Sequence, residues 1–333
     1  MKGKFFLALK TVISLGLVSY FYSQVDLFSV IEVLRSIDPI YYVLGFLLNY
    51  LGGISTQSMI TKLSSNDIKI SLFKMDNINL GMRFYSIILP MAAVSVIRWQ
   101  RYTVLGCSKL HALGIMVLNK SLQYLFIFLF LFMGLLVFED IMLSKMNVSS
   151  YRMLLLLVGS GSIFFVILSL GCMKKIKLTY LFDNLLMLCR YLPFQLSIKG
   201  REIVKRIKEY TLKDIIIDNA RLYKIFFLSS LGILLVVSSQ YYLALSIGVK
   251  IGFLSIFFVR AFVQLLVMLP ISVGGVGLRE VGFVSTLSLF NIAAENALAL
   301  ALMLFSIQII FGMLGAVLEL IYVFKKSSIQ VLK

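Results

Sequence analysis

Five residues carry the chemistry this sequence can offer: Arg83, Arg98, Arg260, Arg279 and Glu280. They flank or sit inside apolar segments. A charged side chain at the bilayer centre costs about 2.5–3.5 kcal/mol on insertion scales, so it faces a cavity or a partner. Arginine presents a planar fork of donors that fits phosphate oxygens, and it keeps its charge when partly desolvated. The chemistry that follows is capture of an anionic lipid headgroup, with Glu280 either balancing Arg279 or meeting an amine on the same lipid. The competing reading is that Arg279 and Glu280 pair only to hold a hairpin together. Lys120, Glu295 and Glu319 read instead as side chains that reach out from span ends to the interface.

No catalytic constellation accompanies these residues. His111 is the single histidine, and the three cysteines (Cys107, Cys172, Cys189) have neither metal-ligand nor disulfide spacing. Nothing pairs a nucleophile with a base, and no acidic pair has the spacing of metal ligands. The sequence therefore predicts no enzyme, no metal site and no cofactor.

Two interrupted apolar segments, at about 78–97 and 253–291, must position the charges. The first reads RFYSIILPMAAVSVIR from Arg83 to Arg98, and the second RAFVQLLVMLPISVGGVGLRE from Arg260 to Glu280. Pro90 and Pro270 each remove a backbone donor and clash with the preceding turn, so each segment breaks or kinks there. Gly274, Gly275 and Gly277 then let irregular backbone turn tightly at membrane depth. Each segment has arginine, an apolar half-helix, Leu-Pro, small residues and a second arginine. Broken helices repeated in opposite directions are how many transporters build a midplane site.

The rest of the chain is membrane-spanning. Of 333 residues 60% are hydrophobic and 14% charged, with a mean hydropathy of +0.97, against about 25% charged in a soluble domain. The apolar runs are continuous rather than alternating, so helices cross the bilayer. Full-length spans read at 5–22, 39–60, 112–138, 151–172, 223–247 and 295–324. The expected fold is thus an all-α polytopic membrane bundle of about six full spans plus two broken hairpins that form an inverted repeat. It makes one domain, 1–333, with a first half at 5–172, a basic amphipathic loop at 173–222 and a second half at 223–324. The N-terminal run lacks a cleavage site and reads as a retained first span.

The net charge of +17 sets orientation rather than pointing to nucleic acid. The stretch 173–224 holds twelve basic and five acidic residues, whereas 23–38 holds one and three. Both termini and the basic loop are then cytoplasmic. Charge and topology agree only if the broken segments are re-entrant, the first opening to the cytoplasm and the second to the outside. Kinked full spans are the alternative.

The stretch PISVGGVGLREVGF, Pro270 to Phe283, resembles the signature of the flippase-like family that includes the membrane region of lysylphosphatidylglycerol synthase. Pro270, Gly274, Gly275, Gly277, Arg279 and Glu280 match its pattern. The segment from Arg83 to Arg98 is similar to the family's first motif but has Met91-Ala92-Ala93-Val94-Ser95 where that motif has glycines and an acid. The resemblance implies movement of a lipid between leaflets of the plasma or inner membrane. The full synthases carry a further aminoacyl-transferase domain, so this chain resembles their membrane part alone and is not expected to make lysyl-lipid. The expected partners are membrane lipids, an anionic phospholipid or a glycolipid, with a second copy of the chain or a synthase as further candidates. The alternative function is an accessory subunit in a lipid-linked glycan pathway.

Overall fold

The computed structural model describes residues 27–64, 68–89, 91–173, 219–268, 275 and 277–331, and every regular element among them is helical. The expected span at 5–22, most of the loop at 173–222, and Pro90, Pro270 and Gly274 lie outside the described residues. The first half comprises α1 (Leu27–Arg35), α2 (Pro39–Tyr50), α3 (Thr56–Ser64), α4 (Leu72–Ile88), α5 (Met91–Val104), α6 (Lys109–Val137), α7 (Glu139–Leu143) and α8 (Val148–Met173). The second comprises α9 (Asn219–Ser246), α10 (Phe253–Met268), α11 (Leu278–Leu287) and α12 (Ala294–Val331). Among the described residues, four helices are long and apolar enough to cross a membrane: His111–Val137, Val148–Val166, Ala220–Ser246 and Ala294–Ile321.

Local sequence explains where the helices start. Asp38 precedes Pro39 and accepts the Ile40 N–H at 2.8 Å, while Ser71 and Ser108 accept from Lys74 and His111 at 3.3 and 3.2 Å. Each cap satisfies one of the donors that a helix leaves open at its first turn. The segment expected at 39–60 runs on as α2 and α3, joined through a π turn at Leu51–Ser55.

The packing is reciprocal between the halves. The α2–α3 segment lies on α9, α4 lies on α12, and α10 lies on α6. Along the α2–α9 seam Tyr41 stacks on Tyr242, Asn49 donates to Ser239 at 3.3 Å, and Gly52 abuts Gly232. Partner numbers fall as α2 advances, so the equivalent helices α2 and α9 run antiparallel. That is the relation an inverted repeat requires.

Each broken segment forms a hairpin whose ends meet at one end of the bundle. In hairpin 1 (α4 and α5), Ile68 and Met75 from the start pack with Tyr102 and Cys107 from the finish, alongside Ala112 and Ile115; we call this end basal. In hairpin 2 (α10 and α11), Gly252 and Ser255 from the start share a cavity of about 540 Å³ with Phe290 and Asn291, just past α11. Phe138, at the end of α6, touches Phe290 with ring centroids 5.0 Å apart. Since α6 starts in the basal cluster, hairpin 2 opens at the other, apical end.

The contacts that hold the two hairpins differ in kind. On hairpin 1, Glu319 of α12 pairs with Arg101 of α5 and accepts from Tyr85 of α4 at 3.2 Å. Glu319 was expected to reach the interface, yet its side chain is only 12% exposed; the close approach of Gly81 to α12 folds it inward. On hairpin 2, Phe258 packs beside Gly134 and against Phe138, Phe262 and Phe290. Outward-facing Leu156, Leu157, Val317 and Leu320 are exposed, as lipid-facing side chains of a membrane protein are.

Candidate functional site

Arg83 lies two-thirds of the way along α4, and its guanidinium donates to the Gly53 carbonyl at 3.2 Å. Gly53 belongs to the π turn, whose widened backbone lets this carbonyl serve a side chain. Arg98 lies mid-way along α5, and its Nε is buried with no acceptor. Arg260 sits mid-way along α10, and no described residue accepts a hydrogen bond from it. Arg279 opens α11 and donates to Gln308 of α12 at 3.0 Å.

The fold brings these charges from both hairpins into one field. Arg83 lies within electrostatic range of Arg98 and Arg279, and Arg260 within range of Arg83 and Arg279. Lys120 of α6, read from sequence as an interfacial residue, lies within range of Arg83 and Arg98. All four arginines are partly buried, short of full burial. Among the described residues no carboxylate forms an ion pair with Arg83, Arg98, Arg260 or Arg279. Like charges gathered at low dielectric repel one another, and an anion among them relieves that repulsion.

Glu280 does different work. Its Oε2 accepts the Gly277 N–H at 2.8 Å, the backward half of a capping box at the start of α11. It also exerts its charge on Arg279, yet it makes no ion pair with it among the described residues. Gly275 and Gly277 carry φ of 82° and 83°, a conformation that costs an L side chain but not glycine. A Cβ on Gly275 would also meet Val267 at 2.9 Å, so this glycine lets the hairpin close on itself.

The sequence reading missed Asp76 and Asn79, which are buried in α4. Their helix starts at Leu72, whereas the apolar run was taken to begin at 78. An acid within one turn of that boundary was the available signal. The cavity at the apical mouth, lined by Lys145, Lys250 and Asn291 among others, is separate from the arginines.

A comparison with protein families matches residues 7–316 to the lysylphosphatidylglycerol synthase TM region. Among curated proteins, none matches the chain. With the match extending over nearly the whole length and both broken hairpins inside it, the chain belongs to the lysylphosphatidylglycerol synthase TM region family.

Proposed function

We propose that the protein is a lipid translocator that takes an anionic or modified headgroup between its two hairpins. One observation carries this reading: Arg83, Arg98, Arg260 and Arg279 converge from opposite hairpins, and no described carboxylate pairs with them. Two half-crossings that open at opposite ends supply what alternating access needs, a fixed midplane site with a way in from each leaflet. Arginine forks fit phosphate. Glu280 positions the backbone at Gly277 rather than the lipid. No catalytic step is assigned, and the lipid leaves as it entered. The basal end carries Lys62, Lys69, Lys74, Arg101 and Lys109, so by the positive-inside rule it faces the cytoplasm of a cell membrane.

The test is leaflet exchange of fluorescent phosphatidylglycerol in proteoliposomes. Arg83→Gln and Arg260→Gln each remove a charge-assisted contact and should slow exchange about tenfold or more, with the protein still folded. Wild-type rates in both variants would overturn the site. A labelled glycolipid run in parallel separates a phosphate-directed site from one that also reads a sugar.

A further inference from the structure

A second buried polar site lies on the same helix as Arg83. Asp76 is 8% exposed and Asn79 is 3% exposed, and three residues apart on α4 they share one helix face. Asp76 Oδ2 accepts from the Tyr50 hydroxyl at 3.0 Å. Asn79 Nδ2 donates to Ser58 Oγ at 2.8 Å, and the Ser58 hydroxyl donates to the Ile54 carbonyl at 3.0 Å. Asp76 Oδ1 and Asn79 Oδ1 receive no hydrogen bond from the protein. Two acceptors on one helix face cannot satisfy each other; each needs a donor or a cation. Turning the Asn79 amide over would supply a neutral donor and still leave a buried carboxylate charge unbalanced.

The neighbouring charged and titratable groups do not supply that balance. Tyr50 of α2 is a neutral donor to Asp76. Tyr102 of α5 packs in the basal cluster with Met75 and lies 3.5 Å from the Thr61 hydroxyl. Glu319 of α12 is an acid engaged with Arg101 of α5. Lys62 of α3 and Lys74 of α4 are exposed, and Arg83, two turns further along α4, is directed to Gly53. None forms an ion pair with Asp76. Among the described residues no group of three His, Cys, Asp or Glu side chains could hold a metal ion, which disfavours a multivalent ion here.

We infer that Asp76 and Asn79 hold a single monovalent cation, either a proton on Asp76 Oδ1 shared with Asn79 Oδ1, or a sodium ion bound by both oxygens. Either neutralises the carboxylate and satisfies the second acceptor. Because α4 carries this site two turns from Arg83, cation occupancy and headgroup occupancy bear on one rigid element. That places the cation as the driving ion of the proposed carrier. This last role rests on the carrier reading; the cation site itself does not.

The experiment is thermal unfolding of the purified full chain in sodium chloride and in potassium chloride at matched ionic strength, from mildly acid to mildly alkaline pH. A sodium site raises the melting temperature by about 2–4 °C in sodium over potassium. A proton site instead gives a similar gain in both salts at the acid end of that range and none at the alkaline end. In either case Asp76→Asn, nearly isosteric and neutral, removes the dependence. Asn79→Leu, which keeps the acid and deletes its companion oxygen, weakens cation binding about tenfold and stands in if Asp76→Asn does not fold. A wild type indifferent to both sodium and pH overturns the inference, as does either variant retaining the wild-type response. Lipid exchange is measured separately. Exchange together with a melting temperature indifferent to sodium and pH sinks the cation site alone; a cation-dependent melting temperature without exchange sinks the carrier alone; and exchange indifferent to a cation gradient sinks the driving role.

Discussion

The two hairpins share the pattern of arginine, Leu-Pro, small residues and arginine, but chemically different contacts hold them. On α12 a glycine, Gly315, lies against α4, and one turn later Glu319 reaches Arg101 and Tyr85. On α6 a glycine, Gly134, lies against α10, and one turn later Phe138 packs on Phe258 and Phe290. The same glycine-then-anchor arrangement thus ends in a carboxylate at one hairpin and a phenyl ring at the other. Aromatic packing of this kind is dispersed over many contacts and has no charge to neutralise or exchange. A carboxylate shared between an arginine and a tyrosine is directional and can trade partners. On the carrier proposal, this difference would make hairpin 1 the arm that releases and hairpin 2 the arm that stays fixed.

Substitutions at the matched positions break or sharpen that contrast. Phe258→Ala empties the centre of the aromatic contact and should have the largest effect, about 3 kcal/mol of stability, read from unfolding midpoints in mild detergent and denaturant. A small effect there would mean that hairpin 2 is not the fixed arm. Gly315→Ala comes next, at about 2 kcal/mol, because the added methyl meets the Leu80 backbone, which cannot yield. Gly134→Ala should cost about half as much, since it meets the Phe258 ring, which can turn. Equal costs would erase the distinction. Glu319→Gln should cost about 1 kcal/mol, discounted because both partners are partly exposed. It should also speed amide exchange in α4 and α5 while leaving α10 and α11 unchanged, and equal acceleration in both hairpins would refute the assignment of the mobile arm. Tyr85→Phe, which removes one hydrogen bond and keeps the ring, should cost about 0.5 kcal/mol by the same measurements.

Much of this architecture could be read from residues alone. Leu-Pro at 89–90 and 269–270 marked where each apolar run was expected to break, and the alternation of basic and acidic flanks favoured re-entrant segments over kinked full spans. In the structure the two segments form hairpins whose ends lie at opposite ends of the bundle. What could not be read was which charge meets which. Glu319 sits in an apolar helix as an interfacial carboxylate would, and only the approach of Gly81 across a long stretch of sequence turns it inward. Lys120, read as a span-end cation, is indeed exposed and donates to Gln123 at 3.1 Å, but nothing local announces that it also lies within electrostatic range of Arg83 and Arg98 on other helices. Asp76 fell just outside the apolar window because hydropathy averages cannot separate a polar residue in a loop from one buried in the first turns of a helix. Span, break and orientation are properties of one segment; these pairings are properties of two.

The π turn at Leu51–Ser55 has one more consequence. An extra residue in that turn rotates everything after it, so α2 and α3 answer to different surroundings although they form one continuous rod. Before the turn, Tyr42 and Phe46 meet Ser306 and Phe311 of α12; beyond it, Ser58 and Thr61 face Asn79 and Tyr102 of hairpin 1. Deleting a single amino acid from this short stretch would restore ideal helical winding and swing the downstream half by roughly 100° about its axis. The hydroxyl of Ser58 and the carbonyl offered to Arg83 would then be lost together, though neither residue had been mutated.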